Sequence, residues 1–199
     1  MKPRVIVLNG LVGVGKTTVL NELKTHLPNC FVVYEYIDVL DNAEKYLNKY
    51  LKGVITAHGF QHYILDYYED VANQLKDSTY DYILVEHSPI EGIIFFAKQD
   101  LLNKRMTQNE YDDLLETAKR MWFYPDIRTD NAITIKTDDM TTEQIAKLII
   151  TFINDFDINI FKLRAEAKTL KQRIQQRGRE CEIKHYDDDY IQTMIENYV

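Results

Sequence analysis

Hydrophobic and polar positions alternate along the chain in a pattern that predicts short buried strands separated by amphipathic helices. The segment PRVIVLNG at 3–10 contains a continuous apolar run, which is typical of a strand buried on both faces. In the segment that follows, 17–27, leucines recur at helical spacing until Pro28. Because this alternation of strand and helix repeats to the end of the chain, it indicates an α/β domain.

The same criteria predict the remaining elements. Strands are expected at 30–36, 80–87, 132–138 and 158–164, and helices at 41–52, 59–76, 90–103, 107–121, 141–154, 165–177 and from about 187. The chain contains no internal repeat and no Gly/Ser linker. We therefore expect one α/β domain over 1–199, with three layers and a parallel, roughly five-stranded sheet between helices.

Composition favours a soluble protein of a reducing compartment. The 199 residues are 45% hydrophobic, and two cysteines cannot form a disulfide framework. The longest apolar stretch, LIITFINDFDINIF, is broken by Asp155 and Asp157, so no membrane span and no signal peptide are expected. The expected location is the cytoplasm, or the host-cell cytoplasm if the source is viral.

Charge is distributed unevenly along the chain. The net charge of −7 argues against a nucleic-acid polymer as partner, since such binders need a basic field. Residues 162–184 nevertheless carry eight Lys or Arg and three Glu, a local charge of +5, whereas the rest of the chain carries −12. This segment indicates either a site for a small polyanion or a solvated helix face, and on composition alone the second is more common.

The strongest local motif is GLVGVGKT at 10–17, which fits G-x-x-x-x-G-K-[ST] between a predicted strand and a predicted helix. Glycines allow successive backbone N–H groups to surround phosphate oxygens, and the helix N-terminus adds partial positive charge. Lys16 then reaches the β- and γ-phosphates, and the Thr17 hydroxyl binds Mg²⁺. The motif predicts a site for ATP and Mg²⁺. The predicted nucleotide-binding residues are Gly10, Gly13, Val14, Gly15, Lys16, Thr17 and Thr18.

Two glutamates end predicted strands, where a parallel sheet delivers side chains to a ligand crevice. Glu86 ends YDYILVE, and such an acid beside the P-loop strand suits Mg²⁺ coordination. Glu35 ends the second predicted strand and suits a base for an acceptor hydroxyl. Each could alternatively be a solvated strand-end carboxylate.

Three arginines recur across the predicted end of a helix: Arg173, Arg177 and Arg179, with Gly178 between the last two. Guanidinium groups bind phosphate oxygens in bidentate fashion and neutralise charge on a transferred group. The segment, about 173–185, is therefore interpreted as an Arg-rich lid that hinges at Gly178 and excludes water. A solvated helix face is the alternative.

Taken together, GLVGVGKTT, Glu35, FQHY at 60–63, EHS at 86–88 and RIQQRGRECE at 173–182 resemble the deoxyribonucleoside kinase family, including viral thymidine kinases. The resemblance covers most of the chain. It implies a P-loop kinase fold and transfer of the ATP γ-phosphoryl group to the 5′-hydroxyl of a deoxynucleoside. Relatives are usually dimers, so it also implies a homodimer.

The resemblance implies roles for individual residues. Glu35 matches the general base, and Gln61 matches the glutamine whose amide pairs with the base edge. Phe96 matches the aromatic residue that stacks on the base, and Glu182 matches a lid acid that reaches the sugar 3′-hydroxyl. The arginines at 173, 177 and 179 match the lid arginines.

The sequence departs from the family pattern in two places. His87 stands where the family usually has the arginine of E-R-S. An imidazole offers one donor and no permanent charge, so weaker substrate orientation or transition-state stabilisation is expected; a structural histidine is the alternative. In addition, the strand at 132–138 and the helix at 141–154 precede the lid, whereas in relatives the lid comes before the last strand–helix pair. This order predicts either a different connection of the outer strands or a chain order that is not the ordinary one.

The predicted substrate preference depends on charged residues of relatives that this sequence lacks. Gly92 and Ile93 stand where purine- and cytidine-preferring relatives carry Asp and Arg, and Tyr68 replaces another Arg. This favours thymidine as the deoxynucleoside substrate. A thymidylate kinase is the nearest alternative, but no Arg follows Glu35 closely to bind an acceptor phosphate. A catalytically idle nucleotide-binding P-loop protein is the other alternative.

His58 and His62 are four residues apart, as in metal-binding helices. No Glu follows His58 to form H-E-x-x-H, and the sequence shows no third ligand. Two ordinary polar helix positions are therefore the favoured interpretation.

Overall fold

A computed structural model describes residues 3–121, 132–156 and 159–198. The strands are β1 (Arg4–Gly10), β2 (Cys30–Val33), β3 (Tyr82–Glu86), β4 (Ile133–Lys136) and β5 (Ile160–Arg164). The helices are α1 (Lys16–His26), α2 (Tyr36–Val39), α3 (Ala43–Leu51), α4 (Ala57–Leu75), α5 (Pro89–Gly92), α6 (Lys98–Leu102), α7 (Gln108–Lys119), α8 (Thr142–Phe156), α9 (Ala167–Arg177), α10 (Glu180–His185) and α11 (Asp188–Asn197), with a π-helical segment at Ile93–Ala97.

The five strands form one sheet in the order β2-β3-β1-β5-β4, and the helices flank it, which confirms the predicted α/β fold with a parallel sheet. The central strand β1 pairs in parallel with β3 and with β5. Ile6, Val7 and Leu8 are completely buried in it, as expected of a parallel strand covered on both faces. The glycine-rich loop therefore follows the central, buried strand of the sheet.

The last two strands along the chain do not follow chain order in the sheet. β4 comes first along the chain but lies at the edge, whereas β5 lies between β1 and β4. Leu163 of β5 is aligned with Gly10 of β1. As a result, α9 follows the strand that lies adjacent to β1. This helix carries the first of the predicted lid arginines.

The described residues divide into two compact units. The first contains those of Met1–Val32, Tyr80–Glu86 and Arg128–Val199, and the second those of Val33–Thr79 and His87–Ile127. In the first unit α1 packs against α8, where isoleucines at helical spacing are buried. In the second unit α4 packs against α7. Within the described residues, no helix combines the length and apolarity needed to cross a membrane.

Three sequence-based boundaries were wrong. The strand predicted at 30–36 ends at Val33, because buried Tyr36 begins a helical turn and packs edge-on against Phe60 and Tyr63. The helix predicted at 90–103 is divided by the π-helical segment into α5 and α6. The basic loop after Gly178 contains α10, whose early glutamates and late Lys184 and His185 complement the helix dipole.

Candidate active site

The loop between β1 and α1 has the backbone conformation of a phosphate-binding loop. Gly10, Gly13 and Gly15 have φ angles of 148°, 80° and 102°, which side-chain-bearing residues rarely adopt. The N–H of Val14 donates to the carbonyl of Leu11 at 3.2 Å and closes a turn inside the loop. Because α1 begins at Lys16, the loop leads directly into a helix N-terminus, where unpaired N–H groups attract anions.

Two of these glycines are also required by close packing. A Cβ atom on Gly10 would lie 2.7 Å from the carbonyl oxygen of Leu163 in β5. A Cβ atom on Gly13 would lie 3.0 Å from the carbonyl oxygen of Leu170 and from the side chain of Ile174, both in α9. The loop is thus held between β5 and α9.

Lys16 is buried, and its ammonium group lies over the loop. Its Nζ donates to the carbonyl of Gly10 at 3.0 Å and lies 3.5 Å from that of Leu11. An ammonium has three donor hydrogens, so the loop carbonyls hold the charge in place while leaving capacity for a phosphate oxygen. The exposed Thr18 follows in the first turn of α1.

The structure brings together the two residues predicted to bind Mg²⁺. The Thr17 hydroxyl donates to Oε1 of Glu86 at 2.6 Å, and Glu86 is buried at the carboxyl end of β3. A hydroxyl and a carboxylate are the hard oxygen donors that Mg²⁺ prefers. Adjacent ligands of an octahedral Mg²⁺ lie about 2.9 Å apart, so the pair needs to open by only about 0.3 Å to hold the ion. The donor set fits.

Arg173 contacts the phosphate-binding loop from α9. Its Nη1 donates to the carbonyl of Val14 at 2.8 Å and to the hydroxyl of Thr137 at 3.3 Å. Thr137 directly follows β4, is completely buried, and donates to the carbonyl of Arg164. Sequence reasoning missed Thr137, since a threonine after a strand carries no signal until the strand order is known. It orients the guanidinium beside the loop.

The other two predicted lid arginines converge on one acid. Arg177 and Arg179 both bind Glu182, Arg179 through Nη1 and Oε1 at 3.1 Å, and the Glu182 side chain is buried. Gly178, with a φ of 77°, ends α9 between the two arginines. The predicted lid acid therefore neutralises the predicted lid arginines here.

In the second unit, Glu35 lies two residues beyond the end of β2 and precedes α2 as its N-cap residue. Its φ and ψ of −62° and 141° are extended, and its side chain is partly exposed. Beside it, the carbonyl of Tyr34 accepts a hydrogen bond from the hydroxyl of Tyr67 on α4 at 2.8 Å. This contact anchors the backbone next to the carboxylate.

His87 is the centre of a buried cluster in the second unit. It has a φ of 61°, and its carbonyl accepts a hydrogen bond from the hydroxyl of Tyr68 at 3.0 Å. Its ring lies 5.8 Å from the ring of Phe96, and its Nδ1 lies 3.9 Å from Oε2 of buried Glu91. A Cβ on Gly92 would touch the imidazole at 3.4 Å. The histidine is thus packed on several sides rather than exposed.

The predicted base-pairing and stacking residues lie on two helical segments of the same unit. Gln61 is buried on α4, which is unusual for an amide and indicates a position selected for its polar group. Phe96 is half-buried in the π-helical segment, and such segments are frequent at functional sites. Sequence reasoning missed Glu91, whose burial became visible only once α5 was placed.

Comparisons with known proteins concern the family and the fold. A family model described as deoxynucleoside kinase matches residues 6–148. No curated protein matches the sequence.

Solved structures show the same fold. The deoxyadenosine kinase from M. mycoides with bound dATP is 21% identical, with a TM-score of 0.58 and coverage of 98% of this chain and 81% of that chain. Its complex with dCTP is 21% identical to this chain, with a TM-score of 0.56 and coverage of 98% of this chain and 80% of that chain. Its structure with the products dCMP and a flexible dCDP is 21% identical to this chain, with a TM-score of 0.58 and coverage of 98% of this chain and 81% of that chain. With a family model spanning most of the sequence, a matching fold and a formed phosphate-binding loop, the chain belongs to the deoxynucleoside kinase family and is an enzyme of that type.

Proposed function

We propose that this enzyme transfers the γ-phosphoryl group of ATP to the 5′-hydroxyl of a deoxyribonucleoside, with thymidine as the preferred acceptor. The observation that carries the proposal is the phosphate-binding loop with Lys16 folded over it and the Thr17 hydroxyl hydrogen-bonded to Glu86. Together these groups offer amides, an ammonium and a pair of hard oxygens to a triphosphate and its cation.

The roles on the donor side follow from the first unit. Lys16 binds β- and γ-phosphate oxygens, while Thr17 and Glu86 hold Mg²⁺. When bound, Mg²⁺ neutralises charge on the phosphate oxygens. Arg173 is already fixed on the loop through Val14. Arg177 and Arg179 are held by Glu182 and exchange that partner for phosphate oxygens when the lid engages.

The roles on the acceptor side are assigned to the second unit. Glu35 accepts the proton of the 5′-hydroxyl as the oxygen forms a bond to the γ-phosphorus and the bond to the β,γ-bridging oxygen breaks, releasing ADP. Gln61 pairs with the base edge and Phe96 stacks on it. His87 packs against Phe96 and positions that ring. Glu182 reaches the sugar 3′-hydroxyl once the arginines release it.

Thymidine is preferred because the region expected to surround the base lacks the charged pair of purine- and cytidine-preferring relatives. Gly92 lies against the His87 ring, and Ile93 is buried. The Tyr68 hydroxyl is engaged by the His87 carbonyl. The proposal further includes salvage of DNA precursors in the cytoplasm by a homodimer.

Deoxyadenosine is the second candidate acceptor. The similar solved structures are of a deoxyadenosine kinase, although at 21% identity their likeness concerns the fold. In this chain, Glu91 places a buried carboxylate next to His87, and a carboxylate can accept a hydrogen bond from the exocyclic amine of adenine.

The test is a turnover assay with MgATP and each of the four deoxynucleosides, with dTMP included as an acceptor. We expect kcat/KM for thymidine to exceed that for deoxyadenosine by about tenfold or more, the range one well-placed contact supplies. Preference for deoxyadenosine would replace thymidine by the second candidate, and preference for dTMP would indicate a thymidylate kinase. ATP binding without turnover of any acceptor would refute the kinase assignment.

Substitutions test the residue roles in the same assay. Lys16→Ala and Glu35→Gln are each expected to lower kcat by about 10²-fold or more, because they remove charge stabilisation and proton transfer respectively. Lys24→Ala and Glu69→Gln are matched controls at exposed positions and are expected to leave kcat within about twofold. Rates like those of the wild type for Lys16→Ala or Glu35→Gln would contradict the assigned roles.

A further inference from the structure

Three metal-ligating side chains converge on the surface of the second unit, outside the residues assigned to catalysis. His58 and His62 lie one turn apart on α4, and Asp113 lies on α7, which packs against it. Oδ2 of Asp113 lies 3.1 Å from Nε2 of His58 and 2.8 Å from Nε2 of His62. The two Nε2 atoms are themselves 3.1 Å apart. Asp113 is thus the third donor that the sequence did not reveal.

Hydrogen bonds alone do not satisfy this triangle of atoms. A neutral imidazole has at most one hydrogen on Nε2, and an ionised carboxylate has none. If both imidazoles donate to Asp113, their nitrogens face each other at 3.1 Å without a hydrogen between them. If one donates to the other, neither Nε2 atom has a hydrogen left for the carboxylate of Asp113. A cation at the centre would instead contact all three atoms through lone pairs.

The spacing and chemistry match a divalent transition metal. Zn²⁺ binds imidazole nitrogen and carboxylate oxygen at about 2.0–2.2 Å, which places the ligand atoms of a tetrahedral site about 3.3 Å apart. The three observed separations are therefore shorter by only a few tenths of an ångström. Both histidines are half-buried and Asp113 is half-exposed, so water can occupy a fourth position.

We infer that His58, His62 and Asp113 form a binding site for a divalent transition metal, with Zn²⁺ as the ion best suited to two imidazoles and one carboxylate. The ion joins α4 to α7 within the second unit. Both helices are capped just before the site, by Thr56 and Thr107, so the ligands project from ordered helical turns. The site is independent of the proposed phosphoryl transfer.

The experiment measures metal binding by the full chain, without nucleotide. After chelator treatment, the protein is titrated with Zn²⁺ by calorimetry and with Co²⁺ by visible absorption, which reports tetrahedral coordination. We expect one ion per chain, Co²⁺ d–d bands that Zn²⁺ displaces, no thiolate-to-metal charge-transfer band, and a higher Tm with Zn²⁺. His58→Gln, His62→Gln and Asp113→Asn are each expected to weaken binding by about tenfold or more.

The matched control is His26→Gln. His26 lies 3.1 Å from Glu22 on α1, one helical turn away, so it forms an imidazole–carboxylate pair without a second imidazole. Its substitution is expected to leave the affinity unchanged. Absence of saturable binding would overturn the inference, as would retention of the wild-type affinity in any of the three ligand variants. Circular dichroism of each variant confirms that the helices remain folded, and because Asp113→Asn keeps the side-chain shape, loss of binding in it reports lost coordination.

Discussion

Single residues of the phosphate-binding loop are constrained twice, by backbone conformation and by packing. Gly13 has a φ of 80° and lies against Leu170 and Ile174 of α9. Gly178 has nearly the same φ, 77°, but a Cβ there would have no neighbour within 4 Å. The two positions therefore separate the cost of a left-handed backbone from the cost of crowding.

We predict that Gly13→Ala destabilises the protein more than Gly178→Ala does. Both substitutions pay about 1–2 kcal/mol for the left-handed conformation. Only Gly13→Ala also forces its Cβ to 3.0 Å from a backbone oxygen, which adds about 1–3 kcal/mol of overpacking. Urea unfolding of both variants without nucleotide measures the difference. Equal losses would mean that α9 moves away from the loop without cost.

His87 shows how a residue next to a candidate site can be held in an uncommon conformation. A φ of 61° is uncommon for a histidine and costs free energy that the surroundings must offset. The hydroxyl of Tyr68, the ring of Phe96 and the close approach of Gly92 surround it. Since these neighbours come from three different segments, the conformation follows from packing and not from local sequence preference.

Among the helical elements, the region from α5 to α6 differs most from a regular helix. The π-helical segment at Ile93–Ala97 separates the two helices and carries Phe96. Asp100 on α6 is completely buried; it accepts hydrogen bonds from the hydroxyl of Tyr50 at 2.8 and 3.0 Å and pairs with Arg105 at 2.6 Å. The carboxylate thus ties α6 to α3.

We predict that Asp100 makes stability decrease as pH rises above its ordinary pKa. Burial raises the pKa of Asp100 above 3.8, although Tyr50 and Arg105 act in the opposite direction. Between 3.8 and the raised pKa the folded protein keeps a proton that the unfolded chain has released, so the free energy of unfolding falls as pH rises through this window. Above the raised pKa the carboxylate is ionised in both the folded and the unfolded protein, so the full free-energy cost of burying its charge lowers the stability.

The measurement compares urea unfolding of the wild type and Asp100→Asn from acid to neutral pH. The asparagine variant has no proton to release, so the wild type is expected to lose stability relative to it as pH rises. Asp66→Asn, at an exposed position of α4, serves as the control. Parallel curves for the wild type and Asp100→Asn would contradict the prediction.

Across the whole molecule, charge is strongly asymmetric. The chain carries −7, yet residues 162–184 carry +5 and include all three predicted lid arginines. A small polyanion is attracted to this segment and repelled by the remainder, and salt screens both interactions over about 10 Å at 0.1 M. An uncharged deoxynucleoside experiences neither this attraction nor this repulsion.

We predict that raising the salt concentration increases KM for MgATP and leaves KM for the deoxynucleoside nearly unchanged. The reason is that screening weakens the attraction between the triphosphate and the cationic segment. Steady-state kinetics at several NaCl concentrations, with each substrate varied in turn, provide the measurement. A parallel rise of both KM values would indicate a general effect of salt on the enzyme instead.

Local patterns were sufficient for much of this protein. The apolar run before Gly10 and the glycine spacing after it predicted a buried strand and a phosphate-binding loop, because both depend on residue types within a few positions. Thr17 and Glu86 were each selected from the sequence as Mg²⁺ ligands, and the hydrogen bond between them became visible only in the structure. The charge of 162–184 singled out a cationic segment, and its interpretation as a lid stays a prediction.

Other features depended on which distant segments meet. The placement of β5 beside β1 brings Arg173 within 2.8 Å of Val14, although 159 positions separate them. The packing of α7 on α4 adds Asp113 to a histidine pair that had no visible third ligand. Likewise, the turn at Tyr36 forms because an aromatic cluster buries that ring. Sequence patterns report interactions between near neighbours, whereas these contacts form only when elements far apart along the chain pack against one another.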